Sequence, residues 1–168
     1  MSDAMHLLAL PANQCGHQLA SAALLFHGLT NAHRALEPVP GLKTAGWVLG
    51  HLAVTGDFAR KVCGRPAICP KAWRAMFNPG TQPSHDAAQY PLMADLIETL
   101  QRVYADLRDA ATQLDDDALS APNPFPPSGR HLKNAGEFVG YLLTGHLGYH
   151  LGQLQAWRAA AGVPRETL

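Results

Sequence analysis

The sequence has few charged residues for its length, and neither sign of charge dominates. Of its 168 residues, 13 are Lys or Arg and 13 are Asp or Glu, so the formal net charge is zero. A protein that binds a nucleic-acid backbone or an anionic membrane through charge needs a basic excess on its surface. The composition therefore argues against a nucleic-acid or membrane partner, and it favours a small molecule or a second copy of the chain.

Long apolar runs and paired cysteines are also lacking. No apolar run approaches the roughly 18 residues of a membrane-spanning helix. Residues 1–6 contain no basic segment ahead of their short apolar patch, so we expect a cytoplasmic protein. The three cysteines, Cys15, Cys63 and Cys69, form no C-x-x-C pair. This pattern fits reduced thiols better than a disulfide framework.

What the sequence does contain is a helical apolar period in four segments, separated by stretches rich in Pro and Gly. A hydrophobic fraction of 47% is ample for one domain with a core. The sequence predicts a single all-α domain over residues 1–168, folded as a four-helix bundle with long crossover loops. The predicted helices cover roughly residues 14–36, 44–63, 91–114 and 135–161.

Two histidines lie in the middle of the last predicted helix. His146 and His150 are four residues apart, so both imidazoles lie on one face of a helix. That face is otherwise apolar, since it also carries Leu143 and Leu154. Burying an unpaired polar group costs on the order of a few kcal/mol. The pair must therefore be hydrogen-bonded, kept neutral, or bound to a cation.

A third histidine, His51, lies on the apolar face of the second predicted helix, next to Gly50, where another helix can approach closely. Alone, such a residue is usually a satisfied packing residue. If helices 2 and 4 are neighbours, however, His51 can meet His146 and His150. Three neutral imidazoles leave coordination positions open, as in a catalytic zinc site. Nitrogen ligands suit zinc, nickel, copper or iron better than magnesium or calcium.

Two segments resemble signatures of a known superfamily. Residues 44–53, Thr-Ala-Gly-Trp-Val-Leu-Gly-His-Leu-Ala, look like the helix-2 signature of the DinB/YfiT-like superfamily. Residues 145–154, Gly-His-Leu-Gly-Tyr-His-Leu-Gly-Gln-Leu, followed by Arg158, are similar to its helix-4 signature. The agreement in order and spacing extends over about residues 14–162. Gly148 and Gly152 depart from a pattern that could carry polar side chains, so no substrate-binding group is transferred there.

The resemblance implies a four-helix bundle in which His51, His146 and His150 bind a divalent metal ion, zinc or nickel above all. It also implies a protein that often forms a homodimer. Related families include metal-dependent S-transferases and isomerases that use low-molecular-weight thiols such as bacillithiol or mycothiol. The leading hypothesis is a divalent-metal-dependent thiol S-transferase acting on a small electrophile. The alternatives are a metal-dependent hydrolase, a non-catalytic metal-binding module, and a dimerisation module with satisfied core histidines.

Two residues close to the histidines in sequence, Gln153 and Tyr149, are candidates for roles beside the site. Gln153, one turn beyond His150, could bond a metal-bound water or orient a ligand. Tyr149 either packs against a neighbouring helix or dimer partner, or forms a hydrogen bond near the site.

Asp57 is expected to have a surface role, and no carboxylate is identified as a general base, so the catalytic residues stay unassigned. Metal affinity should fall below pH of about 6, the region of an unperturbed histidine pKa.

Overall fold

The structure, a computed structural model, describes residues 6–164. The expectation drawn from residues 1–6 therefore falls almost wholly outside the described residues. The described chain is helical and contains one isolated β-bridge, between Pro122 and Asn134, which confirms the all-α prediction. The α-helices are α1 Ala9–Phe26, α2 Ala45–Val62, α3 Trp73–Phe77, α4 Met93–Ala111, α5 Asp116–Ser120, α6 Ala135–Tyr141 and α7 Leu147–Ala160.

Helix α2 begins and ends close to the predicted residues. The Thr44 hydroxyl accepts a hydrogen bond from the Trp47 amide at 3.2 Å, which satisfies one of the amides left free at a helix start. At the other end, Gly64 has a φ of 77°, a left-handed conformation that favours glycine after a helix. Residues 45–57 are all buried, so α2 is the central helix of the bundle.

Two predicted helices differ from those observed. The first was predicted over residues 14–36, but α1 ends at Phe26 because Gly28 has a φ of 73°. A separate 3₁₀ turn, Asn31–His33, follows, so the apolar period that continues past residue 26 does not mark one helix. The last predicted helix, 135–161, is interrupted by a π-helical turn at Leu142–His146 between α6 and α7. A π turn adds one residue to a helical turn, which an apolar pattern does not resolve.

The core fills the space between five helices: α2 packs mainly on α4 and also contacts α6 and α7, while α1 packs on α4 and α7. Helices α2 and α4 approach closely, because a Cβ built on Gly56 would lie 2.8 Å from Val103 and 2.9 Å from Tyr104. Phe58, on α2, is 38% exposed and so lies at the edge of this core. No helix within residues 6–164 combines the length and apolar character needed to cross a membrane.

Candidate metal centre

His51 lies on the buried α2 helix, and its ring orientation is fixed from two sides. The indole of Trp47, one turn earlier, stacks on the imidazole with centroids 4.6 Å apart and an interplanar angle of 8°. His51 Nδ1 lies 2.7 Å from the carbonyl oxygen of Phe77. A carbonyl can only accept, so Nδ1 carries the proton and Nε2 has a free lone pair.

The carbonyl that fixes His51 comes from α3, in the crossover after α2. The Phe77 ring lies directly on Gly50, where an added Cβ would be 2.6 Å from three ring carbons. The close approach predicted at Gly50 therefore occurs, and the approaching element is this five-residue helix. Sequence reasoning did not assign Phe77 a role at the site.

His146 ends the π turn, and His150 lies one turn into α7, with ring centroids 4.5 Å apart. His150 Nδ1 lies 2.8 Å from Gln153 Oε1, and an amide oxygen can only accept. His150 therefore donates from Nδ1, and its Nε2 is free. Gln153 therefore fixes the orientation of the His150 ring, while its predicted role beside a bound metal stays a prediction. His146 Nδ1 is buried and has no partner within residues 6–164.

The three histidines, which come from two chain segments about 95 residues apart, converge on one point. His51 Nε2 and His146 Nε2 are 3.3 Å apart, and the rings of His51 and His150 have centroids 4.6 Å apart. One ring nitrogen of each residue lies within 4.8 Å of the others, so the group could hold a metal ion. The structure thus brings together the three residues that the sequence analysis selected.

Burial keeps this cluster uncharged. The pKa of His146 is lowered to about 3, first by desolvation and then by the neighbouring His150 and His51. Desolvation, followed by His51, lowers the pKa of His150 to about 4, while the Gln153 hydrogen bond opposes the shift. The pKa of His51 is lowered, mainly by burial. Neutral imidazoles are the form that binds metals. The loss of metal affinity expected near pH 6 therefore belongs at a lower pH.

A cavity of about 930 Å³ opens beside the cluster, and His51 and His146 form part of its wall. Much of the remaining wall is apolar and comes from three places in the chain: α2, the loop before α6, and the α6 segment that leads into the π turn. These wall residues are Val54, Phe58, Phe125, Phe138 and Leu142. A ligand in the cavity would therefore lie between an apolar wall and the converging nitrogens. The periodicity of the sequence did not indicate the cavity.

Asp57 also lines the cavity, but the surface role predicted for it is wrong, because it is only 2% exposed. Its carboxylate accepts hydrogen bonds from Arg60 Nη1 at 2.7 Å, the Ile68 amide at 2.8 Å and the Cys69 amide at 3.2 Å. The crossover loop after α2 folds back over this part of the helix, which the sequence did not reveal. Asp57 therefore anchors that loop and is not a free base.

Tyr149 lies on the outer side of the site. It is 64% exposed, and its ring meets that of His150 edge-on with centroids 5.0 Å apart. That exposure does not fit packing against a neighbouring helix of the same chain. Contact with a dimer partner, or a hydrogen bond near the site, stays a prediction for this residue.

Comparison with known proteins adds one family match. The family model described as the DinB superfamily matches residues 16–154, most of the chain. The matched range includes His51, His146, His150 and Gln153. No curated protein matches the chain.

Proposed function

The chain belongs to the DinB superfamily, and we propose that it is a divalent-metal-dependent enzyme of the thiol S-transferase type acting on a small electrophile. His51, His146 and His150 are the proposed metal ligands, and zinc or nickel is the proposed ion. The observation that carries the proposal is the convergence of three neutral imidazoles, two of which, those of His51 and His146, form part of the wall of a large cavity. A cavity at the ligands gives a small molecule direct access to them.

The donor set fits such an ion. Two nitrogens bound to one zinc at about 2.05 Å and at a tetrahedral angle lie roughly 3.3 Å apart. The Nε2 atoms of His51 and His146 are separated by 3.3 Å. Hydrogen bonds at Nδ1 of His51 and His150 leave their Nε2 lone pairs free. Partners of this kind hold ligating histidines in orientation and raise their basicity.

The chemistry supplied by a bound divalent ion is Lewis acidity, which makes a thiol or water nucleophilic near neutral pH. The cysteine that lines the cavity is a poor competing nucleophile. Cys69 lines it, but burial, followed by the Asp57 charge, raises the pKa of its thiol to about 12. The residues of the chain would therefore bind the reactants, orient the imidazoles through Phe77 and Gln153, and exclude water with the apolar wall.

The test has a metal arm and an activity arm. Protein purified without a histidine tag should contain about one divalent metal per chain by elemental analysis. His146→Ala should abolish this content, and His17→Ala, which changes an exposed histidine of α1, should retain it. Metal-loaded protein should then bind a low-molecular-weight thiol by calorimetry and consume an electrophile from a panel only when thiol is present.

Each outcome separates the functional alternatives. Turnover that does not depend on thiol would replace the transferase with a metal-dependent hydrolase. Metal binding without thiol binding or turnover would leave a non-catalytic metal-binding module. Absence of metal from protein exposed to zinc and nickel would leave a dimerisation module with core histidines. The homodimer itself stays a prediction, which sedimentation of the untagged protein tests.

A further inference from the structure

We propose that the cavity beside the three histidines binds an elongated amphipathic anion. Its apolar body lies along the aromatic wall, and its anionic group lies at Lys61 and Arg74. The inference deepens the proposed function, because it names the class of electrophile. It rests on the proposed function only in stating which end of the ligand reacts. Wall composition, unpaired charge and the spacing along α2 support it separately.

The wall is suited to an apolar body. Phe58 and Phe138 meet edge-on with centroids 5.8 Å apart, and Phe125 lies 6.2 Å from Phe138. Both Phe58 and Tyr141 line the cavity although they are 38% and 43% exposed. Large aromatic surface left open to water in a concave site favours a ligand that covers it. The ligand should therefore bury hydrocarbon against these rings.

The charge in the cavity is positive. Lys61 and Arg74 both line it, and neither side chain has a hydrogen bond or ion pair within residues 6–164. Asp57, the acidic residue among the lining residues, is already bound by Arg60 and two backbone amides. Its negative charge is therefore balanced, whereas the charges of Lys61 and Arg74 are not. An anion would supply the partner that both cations lack.

The spacing along α2 sets the length of the ligand. His51, Val54, Phe58 and Lys61 all line the cavity and recur at intervals of three and four residues, as expected for one face of a helix. Ten residues separate His51 from Lys61, which corresponds to about 15 Å along the helix axis. An extended chain of roughly a dozen carbon–carbon bonds covers that distance. The reacting group would thus lie at the histidines and the anionic group at the Lys61 end, with Arg74 as the second cation of the cavity wall.

Calorimetry on the full-length chain, both metal-loaded and after chelation, tests this assignment. Dodecanoate and dodecyl phosphate are the anionic probes and distinguish a carboxylate from a phosphate preference. Dodecyltrimethylammonium has the same chain with the opposite charge, and butanoate has the charge without the chain. We expect at least one twelve-carbon anion to bind, and we expect the cation and butanoate to bind at least tenfold more weakly.

Variants then locate the anionic group. Replacing both cations, Lys61→Ala with Arg74→Ala, should weaken the anionic probe at least tenfold and leave the metal content unchanged. Lys71→Ala removes an exposed lysine that does not line the cavity and should have no effect. The charge reversals Lys61→Glu and Arg74→Glu together should make the trimethylammonium probe the better ligand.

Three results would overturn the inference: no binding of either anion, equal binding of the cation by the unchanged chain, or full anion affinity in the double alanine variant. Anion binding by a chain that takes up no metal would overturn the proposed function and leave the cavity assignment intact. Metal uptake and thiol-dependent turnover without anion binding would overturn the cavity assignment and leave the proposed function intact.

Discussion

Two buried polar clusters lie on α2 within two turns of each other, and they differ in whether their polar atoms have partners. In the first, Asp57 and Arg60 form an ion pair at 2.7 Å. Arg60 also donates to Asp106 at 2.7 Å and to the Pro66 carbonyl at 2.8 Å. Backbone amides occupy the remaining sites on the Asp57 carboxylate. This cluster needs no further ligand.

The histidine cluster is incomplete by the same criterion. His51 and His150 each use Nδ1 to donate a hydrogen bond. His51 Nε2 lies 3.3 Å from His146 Nε2, which can donate to it, but the buried Nδ1 of His146 has no partner within residues 6–164. Whichever nitrogen of His146 carries the proton, the cluster keeps a buried ring nitrogen without a partner, and such an unpaired polar group costs free energy. Burial alone therefore does not distinguish a structural from a functional cluster. Unsatisfied bonding capacity at a cavity does.

Acidification should affect the histidine cluster most strongly. In the unfolded chain these histidines take up protons below pH of about 6.5, whereas the folded His150 does so only near pH 4. Stability is therefore fully present above pH 6.5 and is lost as the pH falls towards 4. For His150 alone, the loss corresponds to about 3 kcal/mol. Urea titrations of chelated protein at pH 7 and pH 4 would measure it.

The variant His150→Leu supplies the control for that measurement, because the carboxylates that also titrate in this range are unchanged. Its stability should fall less between pH 7 and pH 4 than that of the unchanged chain. Equal losses in the two proteins would show that His150 titrates normally. Such a result would contradict the burial argument for the whole cluster.

Removing a charge from the closed cluster should have the next largest effect. Asp57→Asn takes the carboxylate from a buried arginine and presents an amide NH₂ to one of the two backbone amides. We expect the free energy of unfolding to fall by about 2 to 3 kcal/mol. A shift of the urea midpoint at constant m-value would measure this loss.

Asp106→Asn is the matched control, because Asp106 is the other carboxylate that accepts a hydrogen bond from Arg60. The Asp106 side chain is 37% exposed, so its loss should cost less than about 1 kcal/mol. Both variants should still bind one metal per chain. Equal destabilisation by the two substitutions would mean that Asp57 is no more important than a surface partner.

The histidine cluster was more predictable from the sequence than the closed one. Helical spacing places His51, His146 and His150 on apolar faces. This assignment does not depend on the exact residue at which a helix begins or ends. The helical class and the start of α2 at Thr44 follow from equally local signals. Local chemistry therefore accounts for the fold class and for the residues that converge.

Features that depend on distant chain segments were not predictable. Asp57 is buried by a loop that returns to α2, and no local pattern records that return. The carbonyl of Phe77 acts through the backbone, which any residue type supplies. The π turn that ends at His146 adds one residue to a helical turn. An apolar stripe is wide enough to accommodate one extra residue, so the apolar pattern does not reveal the π turn. These features arise from packing between segments and not from residue type.

Loosening the orientation of one imidazole should have a smaller effect than the changes above. Gln153→Leu removes the acceptor 2.8 Å from His150 Nδ1 while keeping a side chain of similar size. Metal affinity, measured by competition with a chromophoric chelator, should fall about tenfold. Gln155→Leu changes an exposed glutamine two residues away and should leave affinity unchanged. Equal affinities of the two variants would remove Gln153 from the site.

The smallest expected effect comes from a methyl group on α2. Gly50→Ala places a Cβ 2.6 Å from the Phe77 ring, so the ring and the carbonyl that holds His51 must shift. We expect metal affinity to fall by about threefold, less than 1 kcal/mol. Gly152→Ala is the matched change, since nothing lies within 4 Å of its added Cβ. It should stabilise the helix by about 0.5 to 1 kcal/mol without changing metal affinity. If Gly50→Ala behaved like Gly152→Ala in metal affinity, α3 would only cover the core, and the orientation of His51 would come from Trp47 alone.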